Sequence, residues 1–170
     1  SQKCLSSLPD LSFIAVSEAA WEAIHERGYP GYDAIQPFRS AQADRFFPYT
    51  PNWPAVAALD SGAELILQEG LDACFSRHEA AAALCRDGLR KLGVTLFPAE
   101  GSVNSPTVTA AMVPEQMAWA DFDAGLRAKG LAVAGSYGPM AGKVFRLGHM
   151  GSQADEGLVR QALAVIGRVL

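Results

Sequence analysis

No run of lysine and arginine interrupts the 170 residues, and the formal net charge is −4, so the basic footprint that binds nucleic acid or an anionic membrane surface is missing. No apolar stretch approaches the ~18 residues of a membrane span, and the N-terminus lacks the basic, then apolar, then small order of a secretory leader. A cytoplasmic setting is the expectation. Cysteine is scarce: Cys4, Cys74 and Cys85 sit at no paired short spacing, which predicts reduced thiols packed as small hydrophobes. His25, His78 and His149 share no metal-ligand spacing with one another or with a cysteine, which excludes a zinc site. A glycine-rich phosphate loop, a nucleophile elbow, a paired-carboxylate motif and internal repeats are absent as well.

What is present is ordinary globular material. Hydrophobic residues make up 49% of the chain and charged residues 19%, enough to close a core. Leu11 to Val16 reads as a compact apolar strand, and Ser17 as the N-cap of a helix from Glu18 to about Arg27, stopped by Gly28 and Pro30. Residues 29–54 hold five prolines among aromatics and the arginines Arg39 and Arg45, a composition that predicts an irregular excursion. From Ala55 to Leu92 apolar residues recur at helical spacing, with Gly70 dividing two helices and Gly93 ending the second. Beyond that, Val94–Phe97 and Pro106–Val113 read as strands and Trp119–Lys129 as a helix closed by Gly130. Leu131–Ala134 and Lys143–His149 read as further strands, and Ser152, with Asp155 three residues on, as the start of a last helix through Leu170. That order predicts a small antiparallel sheet with helices on one face.

Two side chains invite chemistry. Arg146 lies among Val144, Phe145, Leu147 and Met150, so its guanidinium either pairs with an acid or faces a ligand, and its planar fork suits a carboxylate. Gly135, Gly138 and Gly142 just before it allow close backbone approach. Lys3, beside Cys4 and Leu5, is by itself an ordinary surface lysine; a nucleophilic role needs partial desolvation or a nearby cation. Thr50, between Tyr49 and Pro51, is either a turn residue or a phosphate donor.

Taken in order over essentially the whole chain, several stretches resemble the C-terminal part of class V aminotransferases of the alanine-glyoxylate and serine-pyruvate type. They are Ser1-Gln2-Lys3 followed by Pro9, the Tyr49-Thr50-Pro51 turn before a long helix, and Glu69-Gly70-Leu71 with Arg77-His78. Ser105-Pro106-Thr107-Val108-Thr109 and the run from Gly142 to Gly151 complete the match. The ending Arg146-Leu147-Gly148-His149-Met150-Gly151 also resembles pyridoxamine-pyruvate aminotransferase.

The resemblance implies an α/β fold: the end of a large fold type I cofactor domain with an interface loop (residues 1–54), connecting helices (55–92) and a small α+β domain with an antiparallel sheet (93–170). It implies pyridoxal 5'-phosphate as cofactor, carried by Lys3, which also moves the proton at the substrate's α-carbon, with Arg146 gripping the α-carboxylate. Gln2 is expected near the cofactor phosphate, and Thr50 is expected to reach that of the neighbouring subunit in a homodimer. Phe47 stands where the family has a phosphate-binding tyrosine, so that contact is lost or passes to Tyr49. The implied reaction exchanges an amino group between alanine or serine and glyoxylate or pyruvate. Pyridoxamine-pyruvate exchange is the main rival, aminoethylphosphonate transamination a weaker one, and cysteine desulfuration is disfavoured because Cys74 and Cys85 fall on helices. The family's pyridine-binding aspartate, ring-stacking aromatic and phosphate turn lie upstream of Lys3, so the isolated segment is expected to be inactive. From another class, a non-catalytic α+β ligand-binding or dimerisation module, with Arg146 binding a carboxylate or paired to an acid and Lys3 an ordinary terminal lysine, also fits.

Overall fold

A computed structural model describes all residues from Ser1 to Leu170. The elements run α1 (Glu18–Arg27), α2 (Ala41–Asp44), α3 (Trp53–Glu69), α4 (Leu71–Lys91), β1 (Val108–Met112), α5 (Trp119–Ala128), β2 (Ala134–Gly135), β3 (Val144–Gly148) and α6 (Glu156–Gly167).

Helix α1 begins and ends where its caps dictate. The Ser17 Oγ accepts the Ala20 N–H at 3.2 Å, and Gly28 closes the last turn by donating its N–H to the Ile24 carbonyl. The strand expected over Leu11 to Val16 does not form. A strand is a property of a pair, and the sheet here is built wholly from residues 108–148; Phe13 and Ile14 accordingly remain exposed. Among residues 1–54 only Ala41 is buried. The proline-rich excursion is irregular, as expected, and folds upon itself. Tyr49 packs against Tyr32 and Phe38 with ring centroids 4.9 and 5.5 Å away, and its hydroxyl donates to the Tyr32 carbonyl at 2.8 Å.

Helices α3 and α4 break at Gly70, whose φ of 88° no L-residue adopts comfortably. Helix α4 then enters the core. Ala81, Cys85 and Leu89 of α4, Phe122 and Leu126 of α5, and Val159, Val165 and Ile166 of α6 pack against Ala111, Phe145 and Leu147 of the sheet. Phe122 meets Phe145 edge-on at 5.2 Å. All three helices therefore lie on one sheet face, as predicted.

The sheet order is β1-β3-β2, antiparallel throughout. Two expected strands shrink for local reasons. Val94–Phe97 makes only a single bridge, Leu96 to Ala111, because Pro98 follows and cannot donate to a ladder. Leu131 spends its N–H on the Leu126 carbonyl in the C-terminal turn of α5, so β2 starts only at Ala134. The last helix is capped by Asp155, whose Oδ1 accepts the Leu158 N–H at 2.8 Å, and not by Ser152, which sits in a 3-10 turn. That helix stops at Gly167 rather than Leu170.

Candidate functional site

Side chains alternate across the sheet, so the register assigns faces. Phe145 and Leu147 point to the helices, and Arg146 points the other way. Its neighbours across both ladders are alanines, Ala110 on β1 and Ala134 on β2, which leave the guanidinium room above an uncovered face. Nε and Nη2 donate to the Gly135 carbonyl at 3.0 and 2.8 Å, and the Tyr137 ring lies 5.3 Å beneath the guanidinium carbon. The chain's five ion pairs use Arg39, Arg77, Arg90, Arg127 and Arg160. Arg146 therefore has no carboxylate partner, and its Nη1/Nη2 edge remains open for a two-pronged bond.

Lys3 lies on an exposed tight turn in which the Ser6 N–H donates to the Lys3 carbonyl at 3.0 Å and Ser6 adopts a φ of 50°. The turn docks on two glycines. A Cβ on Gly62 of α3 would lie 2.6 Å from the Leu5 carbonyl, and one on Gly151 would lie 2.9 and 3.1 Å from the Lys3 and Cys4 carbonyls. The Ser152 N–H completes the junction by donating to the Ser6 Oγ at 2.7 Å. Gly151 follows Arg146 by five residues, a span of at most about 17 Å when fully extended. The fold thus brings the Lys3 turn and the Arg146 strand into one neighbourhood, though their side chains do not touch.

The loop after β3 is gripped from α4. Arg77 makes a bidentate pair with Glu69, Nε to Oε1 at 2.6 Å and Nη2 to Oε2 at 2.7 Å, while Nη1 donates to the Gly151 and Ala154 carbonyls at 2.8 and 2.9 Å. The Arg77 guanidinium holds the Glu69 carboxyl below the usual carboxylate range. His78 accepts the Gly151 N–H on Nε2 at 2.9 Å and faces the Cys74 carbonyl with Nδ1 at 2.7 Å, which assigns its proton to Nδ1. A second buried histidine, His149, bonds Thr109 through Nε2 at 2.8 Å, and burial pushes its pKa down.

Gln2 is exposed beside Lys3. Thr50 is exposed and distant: it precedes α3, and the helix from Asn52 to Gly62, where Leu5 docks, is roughly 15 Å long at about 1.5 Å per residue. Phe47 is exposed, and the Tyr49 hydroxyl donates to the Tyr32 carbonyl. Cys74 and Cys85 are buried as anticipated, whereas Cys4 is exposed, against the expectation of a packed thiol. No group of three or more histidine, cysteine or acidic side chains could hold a metal, and no helix is long and apolar enough to cross a membrane. Tyr137 was not legible as a site residue, since a glycine-flanked tyrosine carries no pattern that marks it.

No family model matches the chain. The chain is 39% identical over 155 residues, 89% of its length, to an uncharacterized aminotransferase from Methanocaldococcus jannaschii, of which it spans 40%. It is 31% identical over 170 residues, 97% of its length, to a pyridoxamine–pyruvate transaminase from Mesorhizobium japonicum, of which it spans 43%. Among solved structures, the ureidoglycine-glyoxylate aminotransferase from Bacillus subtilis superposes with a TM-score of 0.93 at 30% identity, over 99% of this chain and 45% of that one. The chain spans less than half the length of the relatives it matches.

Proposed function

We propose that this chain, which belongs to the class V aminotransferases as a C-terminal portion, supplies the nucleophilic amine and the carboxylate grip of a pyridoxal 5'-phosphate-dependent transaminase. The observation that carries the reading is Arg146: an arginine on an uncovered sheet face, anchored by a carbonyl and an aromatic ring, with an open two-pronged edge and no acid. A binding module would use the same open edge to hold a carboxylate ligand, and the borohydride test below separates the two, because such a module forms no adduct on Lys3.

The donor set fits the cofactor. Lys3 offers an exposed amine, Gln2 an amide beside it, and Arg146 an anion-binding fork. When bound, pyridoxal phosphate supplies the electron sink that makes the substrate's α-carbon acidic. Nζ of Lys3 would be the base that takes up and holds the proton released from that carbon. Nη1 and Nη2 of Arg146 hold the α-carboxylate and fix which α-bond faces the lysine. Thr50, remote from Lys3 within one chain, serves the phosphate of a second subunit in a homodimer, and Phe47 leaves that phosphate one hydroxyl short.

The substrates we assign are alanine or serine with glyoxylate or pyruvate. Pyridoxamine-pyruvate exchange is the second reading, favoured by the likeness to the Mesorhizobium enzyme. Residues 1–54 act as the end of the cofactor domain with its interface loop, 55–92 as connecting helices and 93–170 as the small domain, with α4 lending its buried face to the small domain's core. On this reading the segment is inactive without the remainder of a full-length polypeptide, which works in the cytoplasm. The test is borohydride reduction of the full-length protein with pyridoxal phosphate, followed by peptide mapping. A pyridoxyl group on Lys3, with transamination abolished by Lys3→Ala, is expected; an adduct elsewhere with Lys3→Ala active would refute the assignment.

A further inference from the structure

We infer that Arg77 and His78 are positioning residues for Lys3, acting through Gly151. This rests on the reading of Lys3 as the cofactor-bearing lysine. Both polar groups of Gly151 reach α4: its carbonyl accepts from Arg77 Nη1, and also from the Ala154 N–H, and its N–H donates to His78 Nε2. Where a side chain would begin, Gly151 lies against the Lys3 and Cys4 carbonyls so closely that no Cβ fits. The Ser152 N–H then holds Ser6, the residue that pays for the turn with a positive φ. The chain of contact runs from Glu69 through Arg77 to Gly151 and on to the backbone of Lys3.

Three features point beyond packing. Arg77 sits at a half-exposed position, yet all its nitrogens are engaged, two of its bonds going to backbone carbonyls on a segment more than 70 residues away. Two adjacent side chains, Arg77 and His78, address the two ends of one residue, which fixes its orientation as well as its location. The same residue joins the Lys3 turn to the strand of Arg146. The device therefore sets the separation between amine and carboxylate grip, while Arg146 is anchored independently by Gly135 and Tyr137.

That independence gives the test its contrast. In the full-length protein, Arg77→Met and His78→Gln should slow pyridoxyl labelling of Lys3 at least about tenfold, and Ser6→Ala about fivefold, in keeping with the worth of one to two hydrogen bonds. Acetylation of Lys91, Lys129 and Lys143 should stay at the parent rate, amide exchange at Gly151 and Ser152 should quicken, and kcat should fall with KM for the amino acid within about twofold. A general loss of structure would move all lysines and KM together. If Arg77→Met does not fold, the exposed Ser6→Ala decides. Parent-rate labelling of Lys3 in folded variants overturns the inference and leaves the role of Lys3 standing. Absence of an adduct on Lys3 in the parent overturns both.

Discussion

Replacing Gly151 by alanine adds one methyl group at the junction of the Lys3 turn and the loop after β3. The residue has a φ of +59°, so an L-side chain there costs about 1–2 kcal/mol in backbone strain alone. The new Cβ would lie 2.9 and 3.1 Å from two backbone carbonyls, which cannot rotate away. It would also displace the Ser6 hydroxyl and with it the bond from Ser152, worth about 1 kcal/mol. The sum is about 2–4 kcal/mol. Gly93→Ala is the control, because its φ is +77° with nothing within 4 Å, so it carries only the backbone contribution. Denaturant midpoints at constant slope measure both. Gly151→Ala should exceed Gly93→Ala by about 1–2 kcal/mol; equal losses would show that the turn is not docked on Gly151, and the reasoning that links Lys3 to the Arg146 strand would fall.

On the proposed function, Arg146→Lys keeps the charge but loses the fork and the stacking on Tyr137, and kcat/KM for the amino acid should fall about 100-fold in steady-state assays of the full-length protein. Phe122→Ala removes a fully buried ring that meets Phe145 edge-on and should destabilise by about 3–5 kcal/mol in the same unfolding assay. His149 has a pKa lowered by burial, so the unfolded chain protonates first: stability is full above the ordinary value of 6.5 and declines as pH falls below it, and His149→Gln should flatten that slope. Glu69, held low by Arg77, adds a further loss of stability as pH falls below its ordinary value of 4.5, which Arg77→Met should abolish in acid titrations followed by circular dichroism.

The parts legible in the sequence are those specified locally. Ser17, Gly28, Gly70 and the helical spacing of Leu84, Leu89 and Leu92 fix α1, α3 and α4 because caps and periodicity act within one or two turns. The strand at Leu11–Val16 failed because apolar character says nothing about whether a ladder partner exists, and here Phe13 and Ile14 find none. Ser152 looked like a cap because its type and spacing suit one, yet its N–H is taken by Ser6, 146 residues away in sequence, and Asp155 caps instead. At the site, Arg146 stood out as a charge in an apolar strand. Arg77, His78 and Tyr137 matter through the tertiary contacts they make, which no spacing rule encodes.

An arginine neutralised by an aspartate or glutamate must surrender that partner before it can take a ligand. Arg146 is steadied by the Gly135 carbonyl and the Tyr137 ring, neither of which carries a negative charge, so its positive charge is not cancelled. An incoming carboxylate therefore meets no resident competitor and breaks no ion pair on arrival. The same openness admits any small anion of suitable shape, so chloride, sulfate and formate should compete with a carboxylate ligand of Arg146 in proportion to their concentration.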